Sequence, residues 1–381
     1  MNALERLTQL STKVYNQSAA DWKQRGKRVV GYMCSYVPEE IFYAAGILPI
    51  RIGARGCKNT TLADAHMAPI TCSFTRCVLE MALTHEYDFL DGLVFMNGCE
   101  NMRRMCDNWI SKISIPFNCC LSVPYKTHED AVEWYSQELD SLKRKLEATF
   151  SVSISNSDLL ESIRMVNKSK QLLKELYDLR KRPDSPISGT QAQRIVVMAS
   201  AMPKNEFNEL LEEVIHTYSQ KNAVANYRAR MMVIGNMLDD YTYTELIEQA
   251  GGLVVTDVTC YGTLYFWRAA DSTTTDSIDS TLNGLARSYL NNILCPRMPF
   301  NSGNIHNLIE ELTRTFNVDG IIFERMMYCN LWGGESMALE KDINEIGIPF
   351  LTLDRQYIPS GEGQIRTRIQ AFLEMIGRQR K

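Results

Sequence analysis

Short apolar runs alternate with helical stretches at both ends of this chain, and that alternation narrows the fold more than any other feature. In the first part, residues 28–33, 47–52, 91–96 and 115–119 read as strands, separated by helices over 38–45, 73–84 and 101–112. Residues 1–25 read as one helix on the spacing of Leu4, Leu7, Leu10 and Val14. Near the end, strands are expected over 231–236, 253–258, 320–327 and 349–354, with helices over 242–250, 278–293, 303–316, 336–346 and 363–376. Strands spaced by helices of this length predict parallel βαβ units. The middle differs: Leu139, Leu142 and Leu146, then Leu159, Ile163, Val166, Leu172 and Leu176, keep helical spacing. After a Pro- and Gly-bearing break at 180–189, two more helices follow over 190–200 and 204–221. The expected architecture is α/β: two Rossmann-like parallel-sheet lobes, 1–127 and 226–381, with a helical region between them over 128–225.

Composition excludes several classes. With 41 Lys+Arg against 45 Asp+Glu, the net charge is −4, so no basic field is present to hold nucleic acid or an anionic membrane. The N-terminus lacks the apolar core of a secretory signal, and the longest apolar stretch, 41–50, is too short to span a bilayer. A cytoplasmic location is expected. No GxxxxGK[ST] or GxGxxG loop occurs, so ATP and dinucleotide binding by this chain are not expected.

Eleven cysteines remain to be explained. A reducing cytosol disfavours a disulfide framework. The alternatives are small buried hydrophobes or ligands of a metal or iron–sulfur cluster. Ligands of open parallel sheets bind beyond the carboxyl ends of the strands. Cys99 and Cys329 follow expected strands there, one in each lobe, and Cys72 precedes the helix at 73–84, where a helix N-terminus favours a thiolate. Spacing alone does not separate cluster ligands from packed thiols.

Several segments, read together, resemble the 2-hydroxyacyl-CoA dehydratase and benzoyl-CoA reductase superfamily. They are YVPEEIFYAAGILPIRI (36–52), ITCSFTRCVLEMAL (70–83), DFLDGLVFMNGCENMRRMCDNW (88–109), IEQAGGLVVTDVTCYG (247–262), RMMYCNLWGGE (325–335) and PFLTLDRQYIPSGEGQIRTRIQAFLE (349–374). The resemblance implies one [4Fe–4S] cluster per subunit, held by Cys72, Cys99 and Cys329, with an open or non-cysteine fourth position. It implies a related cluster-bearing partner subunit in a heterodimer. It also implies ATP-hydrolysing, ferredoxin-dependent activator subunits that inject low-potential electrons, and an acyl-CoA substrate. RMMYCNLWGGE and the closing helix look most like the small subunits of ATP-dependent benzoyl-CoA reductases, which reduce an aromatic acyl-CoA to a cyclic dienoyl-CoA. A 2-hydroxyacyl-CoA dehydratase subunit is the runner-up. An electron-relay or double-cubane-type reductase of the same superfamily, acting on another small molecule, is the third reading.

Other residues carry weaker expectations. Cys77, Cys106, Cys119 and Cys120 are candidates for a fourth ligand or for packing. His66 and Glu335 are candidate proton donors, and His306 shares that role. Ser35 and Tyr36 are placed by the resemblance beside the cleft, as candidate substrate contacts, and Trp332, next to Cys329, is a third candidate substrate contact. Glu100 and Glu324 flank cluster cysteines. Arg366 and Arg368 are candidates for CoA phosphates or the partner subunit.

Overall fold

The computed structural model describes residues 1–379, except 222, 223, 225, 272–275 and 299–301, with the side chains of 302 and 379 left aside. Two four-stranded sheets, every pairing parallel, form the framework. The first contains β1 (Val29–Tyr32), β2 (Leu48–Arg51), β3 (Gly92–Met96) and β4 (Phe117–Leu121), in the order β2-β1-β3-β4. The second contains β5 (Ala229–Gly235), β6 (Gly252–Val258), β7 (Gly320–Met326) and β8 (Phe350–Arg355), in the order β6-β5-β7-β8. Each lobe thus winds out from its first strand, back across it, and on to the other edge. The central strands β1, β3 and β5 are buried along their whole length. That matches their apolar runs, interrupted only by Arg230 in β5, since helices cover both faces of such sheets.

The helical region ties the lobes together. The 26-residue helix Asn156–Lys181 puts Leu159 and Ile163 into the core of the first lobe and Leu172, Leu173, Leu176 and Tyr177 into that of the second. Two segments cross over. The first helix, Ala3–Leu10, packs into the second lobe's core, and the helix Ile278–Asn292 packs against Glu129–Phe150 and the first lobe. The three chain segments therefore interlock in space rather than stand as separate bodies.

Three expected elements are corrected. The single helix over 1–25 is two helices, Ala3–Leu10 and Gln17–Gln24. Asn16 interrupts it: its side chain accepts from the Ala19 amide at 3.2 Å and donates to the Ala201 carbonyl at 2.7 Å, and that buried pairing outweighs helical continuity. The strand at 115–119 begins at Phe117, because Phe117, Cys119 and Leu121 alternate inward. The helix expected from 336 starts at Asn330, so Trp332, Gly333 and Gly334 lie in its first turns rather than in a tight turn. Burial of Trp332, only 2% exposed, offsets the poor helix propensity of the two glycines.

Candidate functional site

The carboxyl ends of both sheets meet in one cleft, and hydrogen bonds from each lobe to the other fix its walls. Arg51 Nη1 donates to the Cys260 carbonyl at 2.6 Å, and the Tyr261 hydroxyl to the Ile52 carbonyl at 3.0 Å. The Tyr357 amide donates to Ser73 Oγ at 2.7 Å, and Asn101 Nδ2 to the Tyr328 carbonyl at 2.9 Å. Asp239, past the end of β5, enters the first lobe, where its Oδ2 accepts from the Ala54 amide at 2.7 Å and faces Arg55 at 3.8 Å. Residue 53 must be glycine-sized, because a Cβ there would lie 2.2 Å from that oxygen.

Cys72, Cys99 and Cys329 come together in this cleft. Each is the N-cap of its own helix, Ser73–Leu83, Glu100–Lys112 and Asn330–Glu345 respectively, and none makes a capping hydrogen bond through its sulfur. Three helix N-termini thus direct positive dipole ends at one place, the arrangement that favours an anionic ligand. Tyr328 holds a left-handed backbone (φ 64°) just before Cys329 and is anchored by Asn101 from the other lobe.

Burial pushes the Cys72 thiol up to about 12, and the neighbouring Cys329 and Cys99 sulfurs push in the same direction. Burial likewise raises Cys99 to about 11, although first-turn amides of Met102 and Asn101 pull against it. The bare Cys72 and Cys99 thiols are therefore neutral at pH 7. A bound metal charge reverses that balance and holds them as thiolates. Among the described residues no three Cys, His, Asp or Glu groups stand close enough to share a single metal ion. The donor set fits a cluster on chemical grounds: soft sulfur donors from both lobes, in a cleft ringed by helix N-termini.

A second set of thiols lies beside the first and was missed by sequence reasoning. Cys34 follows β1, Cys260 follows β6, and Cys295 follows the helix Ile278–Asn292. Cys260 feels the charges of Cys34 and Cys329, Cys295 those of Cys260 and Cys34, and Cys99 that of Cys34. Burial dominates the upward shifts of Cys260, to about 12, and of Cys295. The two trios thus adjoin through Cys34–Cys99 and Cys260–Cys329. The strand-end argument that selected Cys99 and Cys329 also applies to Cys34 and Cys260; Cys295 had no such signal.

The other expected residues sort as follows. Cys77 is buried against the Cys57 thiol, Cys119 accepts from Lys145 Nζ at 3.7 Å, Cys120 is exposed, and Cys106 is buried near Cys120 and Cys99. His66 is exposed beyond a short 3-10 turn. Glu335 is hydrogen-bonded to His306 Nε2 at 2.9 Å, and His306 Nδ1 contacts Asp342, so these groups join two helices. Ser35 lines a cavity beside the cleft. Tyr36 is fully buried and donates to the Ile293 carbonyl at 3.1 Å, which makes it wall structure. Trp332 packs on Phe323. Glu100 is on the surface with Arg103 and Arg104. Arg366 and Arg368 donate to Gln249 and to the Thr352 carbonyl on the second lobe's surface.

Glu324, fully buried on β7, faces Arg355 at 3.1 Å without hydrogen-bond alignment. Burial raises its carboxyl to about 7, against the pull of Arg355.

With its paired parallel sheets and interlobe thiols, the chain belongs to the family of the 2-hydroxyglutaryl-CoA dehydratase D-component, whose model matches residues 34–376. It is 24% identical to a benzoyl-CoA reductase subunit of Thauera aromatica, over 94% of each chain. It is 23% identical to the (R)-phenyllactyl-CoA dehydratase beta subunit of Clostridium sporogenes, over 93% of each. Against the lactoyl-CoA dehydratase beta subunit of Anaerotignum propionicum it is 24% identical, over 97% of this chain and 98% of that one. The relatives are subunits of reductases and dehydratases alike. No helix among the described residues is long and apolar enough to cross a membrane.

Proposed function

We propose that this chain is the iron–sulfur subunit of a cytoplasmic, anaerobic, low-potential reductase, with Cys72, Cys99 and Cys329 holding a [4Fe–4S] cluster whose fourth position is open or non-cysteine. The observation that carries this reading is the convergence of three uncapped thiols from two lobes, each at a helix N-terminus, in one buried cleft. When bound, such a cluster supplies single electrons at strongly negative potential. The chain itself contributes exclusion of water, helix dipoles that stabilise the anionic centre, and a rigid interlobe frame. Electrons come from ATP-hydrolysing activator subunits, and the site is completed by a related partner. The substrate in this reading is an aromatic acyl-CoA, as in a benzoyl-CoA reductase-type complex.

The second thiol trio favours one further reading, a double-cubane-type reductase acting on another small molecule. A reductase subunit of the benzoyl-CoA type asks for three cluster thiols in a chain, and here three further thiols, Cys34, Cys260 and Cys295, lie within electrostatic reach of one another and of Cys99 and Cys329. Anoxic purification with the partner subunit, iron analysis and substrate assays separate the possibilities. Iron for one [4Fe–4S] cluster per chain, with ATP-dependent conversion of benzoyl-CoA to a dienoyl product, supports the first. Roughly twice that iron, with no acyl-CoA turnover, supports the second. Dehydration of a 2-hydroxyacyl-CoA without net reduction makes the chain a dehydratase subunit instead.

A further inference from the structure

Cys57 and Cys77 belong to neither trio, and they face each other. Cys77 lies in the helix Ser73–Leu83 and is fully buried. Cys57 sits in the loop after β2, half-buried, and packs against the same core cluster that contains Cys77. A turn aims it: the Cys57 amide donates to the Ala54 carbonyl at 3.0 Å, and Gly56 holds φ 91°, a left-handed conformation that glycine adopts without strain. The two sulfurs are within hydrogen-bonding reach. That contact lowers the Cys57 thiol, against partial burial, and together with burial it raises Cys77. In its thiol form Cys57 also donates to the Asn59 carbonyl at 3.1 Å. When an accessible thiol is held nearer its thiolate by a buried second thiol, the first can attack and the second can resolve.

The outer thiol opens onto a groove. Parts of 12–15, 55–59 and 80–89 line about 800 Å³ of space, with Cys57 in the wall, a volume suited to a small organic molecule. The rim carries both signs on exposed side chains, Lys13 and Lys58 against Glu86 and Asp88. Asp88 also faces the exposed His85 at 3.1 Å. A molecule bearing both ammonium and carboxylate groups matches such a rim.

We propose that Cys57 and Cys77 form a redox-active dithiol that exchanges with a low-molecular-weight disulfide of an amino-acid-derived thiol, bound in this groove. The Cys57 thiolate attacks one sulfur of that disulfide and forms a mixed disulfide. The first thiolate leaves and regains from water the proton that Cys57 had lost. Cys77 then attacks the Cys57 sulfur, the second thiolate departs with the Cys77 proton, and the Cys57–Cys77 bond closes. Two electrons pass from the protein dithiol to the bound disulfide, which becomes two thiols. A transient bond of this kind is compatible with a reducing compartment. The inference stands on the thiol pair and its groove and does not rest on the function proposed above.

Equilibrating the anoxically purified full chain with reduced and oxidised glutathione, then alkylating it and mapping its cysteines by mass spectrometry, tests the proposal. A Cys57–Cys77 disulfide is expected to form as the oxidised share rises and to reverse as it falls. Cys77→Ala should stall the exchange as a glutathione mixed disulfide on Cys57, and should slow Cys57 alkylation at pH 7 several-fold. Cys57→Ser provides a second variant should Cys77→Ala fail to fold, and should leave Cys77 unmodified. With each rate taken relative to free cysteine, Cys57 should react several-fold faster with oxidised glutathione than with the uncharged bis(2-hydroxyethyl) disulfide. Absence of a Cys57–Cys77 bond at every glutathione ratio, glutathionylation of Cys77 in Cys57→Ser, or unchanged Cys57 alkylation in a folded Cys77→Ala chain overturns the proposal. Equal relative rates with the two disulfides overturn the assigned substrate class.

Discussion

The two lobes share a strand order yet use their strand ends differently. After the third strand of each, a cysteine caps the following helix: Cys99 after β3 and Cys329 after β7. After the first strand they diverge. The first lobe places Cys34 there, within the second thiol trio, whereas the second lobe places Asp239, which plugs into the backbone and Arg55 of its neighbour. Each lobe gives three cysteines to the cleft, but the trios are mixed. Two from the first lobe join one from the second (Cys72, Cys99, Cys329), and one joins two in the other set (Cys34, Cys260, Cys295). Equivalent topological positions thus carry either a cleft thiol or a docking contact. Neither trio exists unless the lobes are held in register.

That comparison can be broken experimentally. The largest effect is expected at the paired third-strand cysteines: Cys99→Ser and Cys329→Ser should each strip most of the bound iron and abolish low-potential electron transfer, measured by iron content and EPR. A large loss from one and none from the other contradicts their equivalence. At the first-strand ends the effects should split. Asp239→Ala leaves Arg55 buried and unpaired and should cost about 3–5 kcal/mol in denaturant unfolding, while Cys34→Ser should change stability far less and show its effect in iron content.

The third strands also differ at their fifth residue, Met96 in β3 and Glu324 in β7. Glu324 holds its proton more tightly when folded, so its contribution is complete below about pH 4.5 and is lost as pH rises toward 7. The loss amounts to at most about 3 kcal/mol. Glu324→Gln should flatten the stability profile across that window, followed by thermal melts from pH 4.5 to 7.5; an unchanged slope assigns the pH dependence elsewhere. The smallest effect is expected at the N-terminal break. Asn16→Ala removes a cap and should cost about 1 kcal/mol, read as a small fall in the unfolding midpoint.

The sheets were legible in the sequence because buried parallel strands are largely continuous apolar runs, and Val29 to Met33 or Gly92 to Met96 needs no partner to be recognised. Cys72, Cys99 and Cys329 were legible because strand ends and helix starts are local signals. What escaped was non-local. The crossing of Ile278–Asn292 onto the first lobe depends on packing against Glu129–Phe150, a helix far away in sequence. Cys295 joins its trio only through that crossing. Trp332 turned an expected glycine turn into helix by its burial, and Asn16 split a helix through its distant partner, the Ala201 carbonyl.

The central claim is that sulfurs from both lobes grip one inorganic cluster. Iron and acid-labile sulfide, quantified with Mössbauer spectra on anoxically purified chain and on a variant with Cys72, Cys99 and Cys329 all changed to serine, test it most directly. The account predicts a [4Fe–4S] signature in the wild type that vanishes in a variant retaining its circular-dichroism spectrum. Iron-free wild type, or a variant that keeps the same Mössbauer spectrum, would contradict it.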